Sequence, residues 1–220
     1  MACLLCGQAI EIDWTLAKIF SFRQVRSPHL CRACLRQFTP INQSTACPGC
    51  GRADSPQLCF DCVRWQKAGY TLLHHRALFQ YDAPMKAFIE QYKGLGDWRL
   101  HLAFQDLIQP PSATFVLIPT EAGHYQVRGF DPVLGLFDHL PLHQWLQKAD
   151  TPVPQAQKNR AGRLQTPQSF SVRPQVSFEK ISQIMLLDDL YTTGRTLYHA
   201  ADALRAANFH GTITSFSLIR

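Results

Sequence analysis

A chain of 220 residues with 46% hydrophobic content fits one ordinary domain plus a small module, with enough apolar material for a real core. The chain has no run of about 18 apolar residues, so no membrane-spanning helix is expected. The start, MACLLCGQAIEIDW, has acids and cysteines where an export signal needs a basic and then an apolar segment, so a cytoplasmic protein is expected. The formal charge of +6 does not by itself point to nucleic acid. Residues 1–70 carry eight basic and four acidic side chains and all eight cysteines; as thiolates on two Zn²⁺, those cysteines would bring the segment near neutrality. One local excess survives: Lys158, Arg160, Arg163 and Arg173 lie in a stretch without acids between Asp150 and Glu179.

In chain order, the cysteines end at Cys62, and the composition changes near 66–72. This suggests a metal-binding module over 1–68 and a second domain over 69–220. RALFQY (76–81) reads as a strand, and Pro84 suits the first turn of a helix reaching about Tyr92. KGLGD is a turn, and WRLHLAFQDLI (98–108) has helical spacing. TFVLIP (114–119) is a strand stopped by Pro119, and PVLGLFDHL (132–140) looks helical. Residues 155–169 are polar, basic and unpatterned, as in a loop. ISQIMLL (181–187) is the strongest strand; Leu197, Ala200, Ala201, Leu204 and Ala207 then share a helical face, and TITSFSLI (212–219) is a last strand. Strands alternating with helices predict an α/β fold, a mostly parallel sheet covered on both faces, which binds ligands at the carboxyl ends of its strands.

The cysteines form four Cys-x-x-Cys pairs: Cys3/Cys6, Cys31/Cys34, Cys47/Cys50 and Cys59/Cys62. Two intervening residues let both sulfurs converge on one ion, and four thiolates close a tetrahedral Zn²⁺ shell. Eight cysteines therefore predict two structural zinc ions. Sequential pairing is the simplest arrangement, and cross-braced pairing fits the spacing too. Four disulfides would require an exported module. Between the first two pairs lie Trp14, Phe20, Phe22, Arg23 and Arg26, a mixture that suits either single-stranded nucleic acid or a small core with solvated arginines.

The stretch IMLLDDLYTTGRT carries the most chemistry. Asp188 and Asp189 follow the apolar strand, and two carboxylates there can accept from the cis hydroxyls of a ribose. Thr192, Thr193 and Thr196 add hydroxyl donors, Gly194 permits close backbone approach, and the following helix start offers unpaired amides to a 5′-phosphate. A nucleotide-hydrolysing domain would need a Gly-x-x-x-x-Gly-Lys-Ser/Thr loop, which the chain lacks.

This stretch resembles the phosphoribosyl pyrophosphate (PRPP) motif of type I phosphoribosyltransferases. With four Cys-x-x-Cys pairs in front, the whole chain resembles the ComF family of competence proteins. YKGLGD (92–97), VLIP (116–119), RGF (128–130), TPQ (166–168) and the terminal SLIR (217–220) are further landmarks. The resemblance implies a type I phosphoribosyltransferase-like domain behind a zinc finger, acting in import of single-stranded DNA during natural transformation. It implies a ComFA-type DNA translocase ATPase as partner, with recruitment to the inner membrane face. Asp188 and Asp189 would hold the ribose of PRPP, and Leu190, Tyr191, Thr192, Thr193, Gly194, Arg195 and Thr196 would wrap its 5′-phosphate. Thr120, Glu121 and Arg128 would face the pyrophosphate, with Mg²⁺ travelling on its oxygens. The basic residues Lys158, Arg160, Arg163 and Arg173 would form a cover or a DNA contact. Two departures fall on the pyrophosphate side: IPTEAG stands where the family has Pro-x-Pro, and RGFDP replaces Arg-Gly-Phe-Asn-Gln. Asp131 is thereby expected to add negative charge there.

Overall fold

The structure, a computed structural model, describes residues 1–11, 20, 28–149 and 168–220. Trp14, Phe22, Arg23 and Arg26, and likewise Lys158, Arg160 and Arg163, lie outside the described residues; Phe20 is exposed. In chain order the elements are α1 (Arg32–Leu35), α2 (Phe60–Lys67), β1 (Arg76–Phe79), α3 (Ala83–Ile89), β2 (Thr114–Leu117), α4 (Ala122–Arg128) and α5 (Pro132–Phe137). There follow β3 (Leu142–His143), β4 (Leu146–Lys148), β5 (Phe170–Val172), β6 (Gln183–Leu190), α6 (Arg195–Ala206) and β7 (Thr212–Ile219).

Five strands form one sheet in the order β1–β7–β6–β2–β3, with every pair parallel; β4 and β5 make a separate antiparallel pair. β6 is central, so both its faces are covered and its residues Ile184 to Leu187 are all buried. That is why IMLL is continuously apolar and does not alternate. Phe115, Leu117, Met185, Leu187, Phe216 and Leu218 pack with α3 and α5 on one face, while Val116, Ile118, Ile184 and Leu186 pack with α6 on the other. The expected α/β architecture with a cysteine-rich N-terminal segment is what the chain adopts.

The N-terminal segment straddles the edge of this sheet. Residues 39–43 run along β1: Ile41 N donates to Leu78 O at 2.8 Å, Gln80 N to Thr39 O at 2.9 Å, and Gln43 Nε2 to Ala77 O at 2.8 Å. They cover an edge that would otherwise present unpaired backbone groups. Cys3 and Cys34 are buried in the core under α3, and Cys47, Cys50, Cys59 and Cys62 in the core under α6. The segment thus holds the sheet from both faces.

Several elements differ from their expected form. The helix begun at α3, with Asp82 accepting from Met85 N as its cap, continues past Ile89 as a π-helical turn over Glu90–Gly94. The stretch 98–108 makes only a 3₁₀ turn over Trp98–Leu102. Asp97, placed to cap a helix there, instead gives its carboxylate to Arg99 and Gln91. β6 runs on to Leu190, so the two acids lie within the strand's last residues and not after it.

Candidate functional site

β2 leads to the β3 side of the sheet, whereas β6 leads to β7 on the other side. The chain therefore diverges between β2 and β6, and ligand crevices form at the carboxyl ends of strands at such a switch point. Here β2 contributes its last ladder bond, Ile118 N to Leu187 O at 2.9 Å, and Pro119 has no N–H to continue. β6 extends beyond that point uncovered on this side. A cavity of about 190 Å³ opens there, lined by Asp188 and Asp189 from β6, Thr196 from α6, Thr120 and Glu121 after β2, and Arg128 from α4. Six of the residues read from the sequence thus meet in one place. Lys93, His124 and Lys148 line it as well, and sequence reasoning did not single them out.

Both carboxylates are buried, and their surroundings push them apart. Burial, followed by the neighbouring Asp189 charge, raises Asp188 well above the usual carboxylate range. Burial also opposes ionisation of Asp189, but the Lys93 charge and hydrogen bond overcome it and hold that carboxyl below its ordinary value. Asp188 Oδ1 further accepts from Asp189 N at 2.9 Å. Opposite, Lys148 Nζ pairs with Glu121 Oε1 at 2.9 Å, the glutamate buried and the lysine partly so. Arg128 Nε donates to Lys93 O at 2.9 Å, which fastens the π-helical turn beneath the pocket. Such turns recur at functional sites, and here the turn delivers Lys93 to Asp189. Lys148 had no legible signal, because β4 is only three residues long.

The Asp131 carboxylate is held by three backbone amides. Its Oδ2 accepts from Thr120 N at 2.9 Å, and its Oδ1 accepts from Val133 N and Leu134 N at 2.9 and 3.0 Å. The carboxylate caps α5 and anchors the loop after β2. Pro132, at the first turn of α5, loses no needed amide.

The hydroxyl loop is held from behind. Gly194 has φ of +82°, and a Cβ there would run into the Tyr191 ring, so glycine is required. The Tyr191 side chain is buried between His75, 4.4 Å away, and the Arg220 guanidinium, 4.6 Å from its ring centre. It faces away from the cavity, and its backbone is the part that a ligand could meet. Arg173 follows β5 and donates N to Trp145 O at 2.8 Å; it is not among the residues lining the cavity.

Removing Lys93 should be felt in stability. Lys93→Met leaves the buried Asp189 carboxylate without its cation. Loss of one partner of a fully buried pair costs about 3–5 kcal/mol, and Lys93 is partly exposed, so about 2 kcal/mol is expected at pH 7. Asp189's depressed pKa stabilises the fold above its unfolded value, a contribution lost as pH falls through the folded one. Urea unfolding should therefore separate the variant from wild type at pH 7 and bring the two together in acid.

The cysteines resolve into two sequential sets, Cys3, Cys6, Cys31 and Cys34, and then Cys47, Cys50, Cys59 and Cys62, with all sulfurs of a set within 4.8 Å of one another. This selects sequential over cross-braced pairing, and all eight thiols are free. Four thiolates at the usual 2.3 Å from a tetrahedral ion lie about 3.8 Å apart. Cys6 and Cys31 sulfurs are 3.8 Å apart, Cys47 and Cys62 3.6 Å, and Cys50 and Cys59 3.4 Å. Backbone amides donate to sulfur in both sets, from Cys31 to Cys3 and from Cys59 to Cys47 at 3.3 Å. Both sets fit a closed metal shell with no open position. Beside the second set, the buried Asp61 collects Arg52 at 2.9 Å, Arg64 at 3.5 Å and Arg220 at 4.0 Å, a cationic surround suited to the negative charge of a four-thiolate centre.

No helix among the described residues is long and apolar enough to cross a membrane. No family model matches the chain. The chain is similar to competence protein ComFC of Streptococcus pneumoniae, 34% identical over 230 residues that span both proteins completely. It is also similar to competence protein ComFC of Bacillus subtilis, 30% identical over 235 residues covering this chain completely and 95% of that protein. With similarity of 30% or more to two such proteins over the whole of this chain, the chain belongs to the ComFC family of competence proteins.

Proposed function

We propose that the chain assists the import of single-stranded DNA into the cytosol during natural transformation, and that the cavity between β2 and β6 binds a PRPP-type ribose-phosphate. The observation that carries this reading is the convergence of Asp188, Asp189 and Thr196 on one cavity, with Thr120, Glu121 and Arg128 across from them. The acids accept from ribose hydroxyls, the turn from Leu190 to Thr196 and the start of α6 take the 5′-phosphate, and the loop after β2 with Arg128 faces the pyrophosphate. Mg²⁺ bound with the ligand supplies charge neutralisation on the pyrophosphate oxygens. The two four-cysteine sets hold structural Zn²⁺. The expected partners are single-stranded DNA and a ComFA-type translocase ATPase at the inner membrane face. Calorimetry with PRPP and Mg²⁺ tests the pocket: a measurable heat that disappears in Asp188→Asn/Asp189→Asn supports it, and equal binding by both proteins refutes it.

A second reading is phosphoribosyl transfer, favoured by the basic residues Lys93, Arg128 and Lys148 in the cavity wall, a set suited to stabilising departing pyrophosphate. A nucleophile would attack C1′ of the ribose as the bond to pyrophosphate breaks, the protein supplying position and charge. Pyrophosphate release in the presence of free bases or nucleosides separates transfer from binding.

The basic stretch gives a separate prediction. If Lys158, Arg160 and Arg163 touch DNA phosphates, neutralising all three should flatten the salt dependence of single-strand binding by about two in the log–log slope. An unchanged slope places the contact elsewhere.

A further inference from the structure

The second cysteine set packs behind the hydroxyl loop that joins β6 to α6, next to the cavity. The hydroxyl loop makes two backbone contacts to the cysteine-rich segment and its neighbours. Trp65 Nε1, on the helix that carries Cys62, donates to Thr193 O at 2.9 Å. Arg220 Nη1 donates to Thr192 O at 3.3 Å. The same guanidinium donates through Nε to Cys50 O at 3.0 Å and through Nη2 to Cys50 Sγ at 3.2 Å, and its plane covers Tyr191. Trp65 also packs against Tyr198 of α6 at 4.2 Å between ring centres.

These contacts decide where the loop's amides point. In a trans peptide the carbonyl of one residue and the N–H of the next are antiparallel. Fixing the carbonyls of Thr192 and Thr193 toward Trp65 and Arg220 therefore turns the amides of Thr193 and Gly194 the opposite way, away from the cysteine set. Successive amides aligned in this manner, with an αL residue at Gly194, form an anion-binding concavity.

We infer that Arg220 and Trp65 are positioning residues, which set the amides of the phosphate loop from the metal centre formed by Cys47, Cys50, Cys59 and Cys62. This rests on the ribose-phosphate reading of the cavity. The cysteine segment then serves the ligand site directly.

The test uses the full chain, with ribose 5-phosphate as probe in calorimetry, hydrogen exchange at the amides of residues 193–196, and metal content. Arg220→Gln and Trp65→Phe should each weaken binding about tenfold, the ratio for one lost hydrogen bond to an ordered loop. They should also speed exchange at 193–196 while leaving that of β6 and the metal content as in wild type. Arg220→Lys should recover part of the affinity. Lys86→Gln, on the exposed side of α3 where it pairs with Glu90, should bind as wild type. Wild-type exchange and affinity in both Arg220→Gln and Trp65→Phe would overturn the inference. Should Arg220→Gln shed metal, Trp65→Phe decides, since its lost hydrogen bond goes to the loop. If wild type binds no ribose 5-phosphate, the cavity reading fails, and the exchange comparison still decides whether these side chains order the loop.

Discussion

Asp188→Asn/Asp189→Asn is expected to lower affinity for PRPP by about a hundredfold while the protein remains folded. Asp189, held ionised by Lys93, can accept a charge-assisted hydrogen bond from a ribose hydroxyl, about 1.5–3 kcal/mol, and Asp188 an ordinary one, about 0.5–1.5 kcal/mol, so losing both costs about two decades. Stability should move differently. Asp188 binds its proton more tightly folded than unfolded, so the fold loses stability as pH rises through the raised folded pKa. Amidating Asp188 removes that penalty at neutral pH. Asp189 acts in the opposite sense, since Lys93 holds it ionised. The double variant should therefore unfold near wild type in urea at pH 7, and Asp188→Asn alone above it. Lost binding with an intact unfolding transition assigns the effect to ligand contacts. Retained binding, or retained transformation in cells, would remove the acids from the site.

Stripping both metals should cost more than any single substitution. Structural Zn²⁺ contributes about 10 kcal/mol or more in small cysteine modules, whereas a whole domain is stable by about 5–15 kcal/mol. Here the cysteines are not in an appendage. Cys3 and Cys34 belong to the core under α3, and the second set belongs to the core under α6. A strong chelator should accordingly abolish the cooperative thermal transition of the entire chain, not only of residues 1–68. Metal analysis should find about two zinc ions per chain, and zinc added back during refolding should restore the transition. A chelated protein with an unaltered melting curve would refute the structural role.

Much of the fold and part of the site were legible because they follow from local chemistry. Continuous apolar runs such as IMLL mark strands buried on both faces, and the Cys-x-x-Cys spacing marks metal knuckles whatever surrounds them. Asp188, Asp189 and Thr196 were legible because a strand, two acids and a hydroxyl loop lie within thirteen consecutive residues. Lys93 and Lys148 were not, since they reach the cavity from elements far away in sequence, one a π-helical turn and the other a three-residue strand. Local pattern also left the structural part of Asp131 unread: its three amide partners, which make it a helix cap and loop anchor, come from residues that only the fold brings into place.

By itself, then, the amino-acid sequence determined the class of sheet, the number of four-cysteine sets and the run of two acids and hydroxyls at the end of β6, all properties of residues adjacent in the chain. The tertiary structure alone decided which cysteines share a shell, that the N-terminal segment closes over the β1 edge, and that Arg220 reaches from the last position to Cys50 and Thr192. Those outcomes depend on strand order and on where β2 stops, and pairing between distant segments leaves no periodic trace in either one.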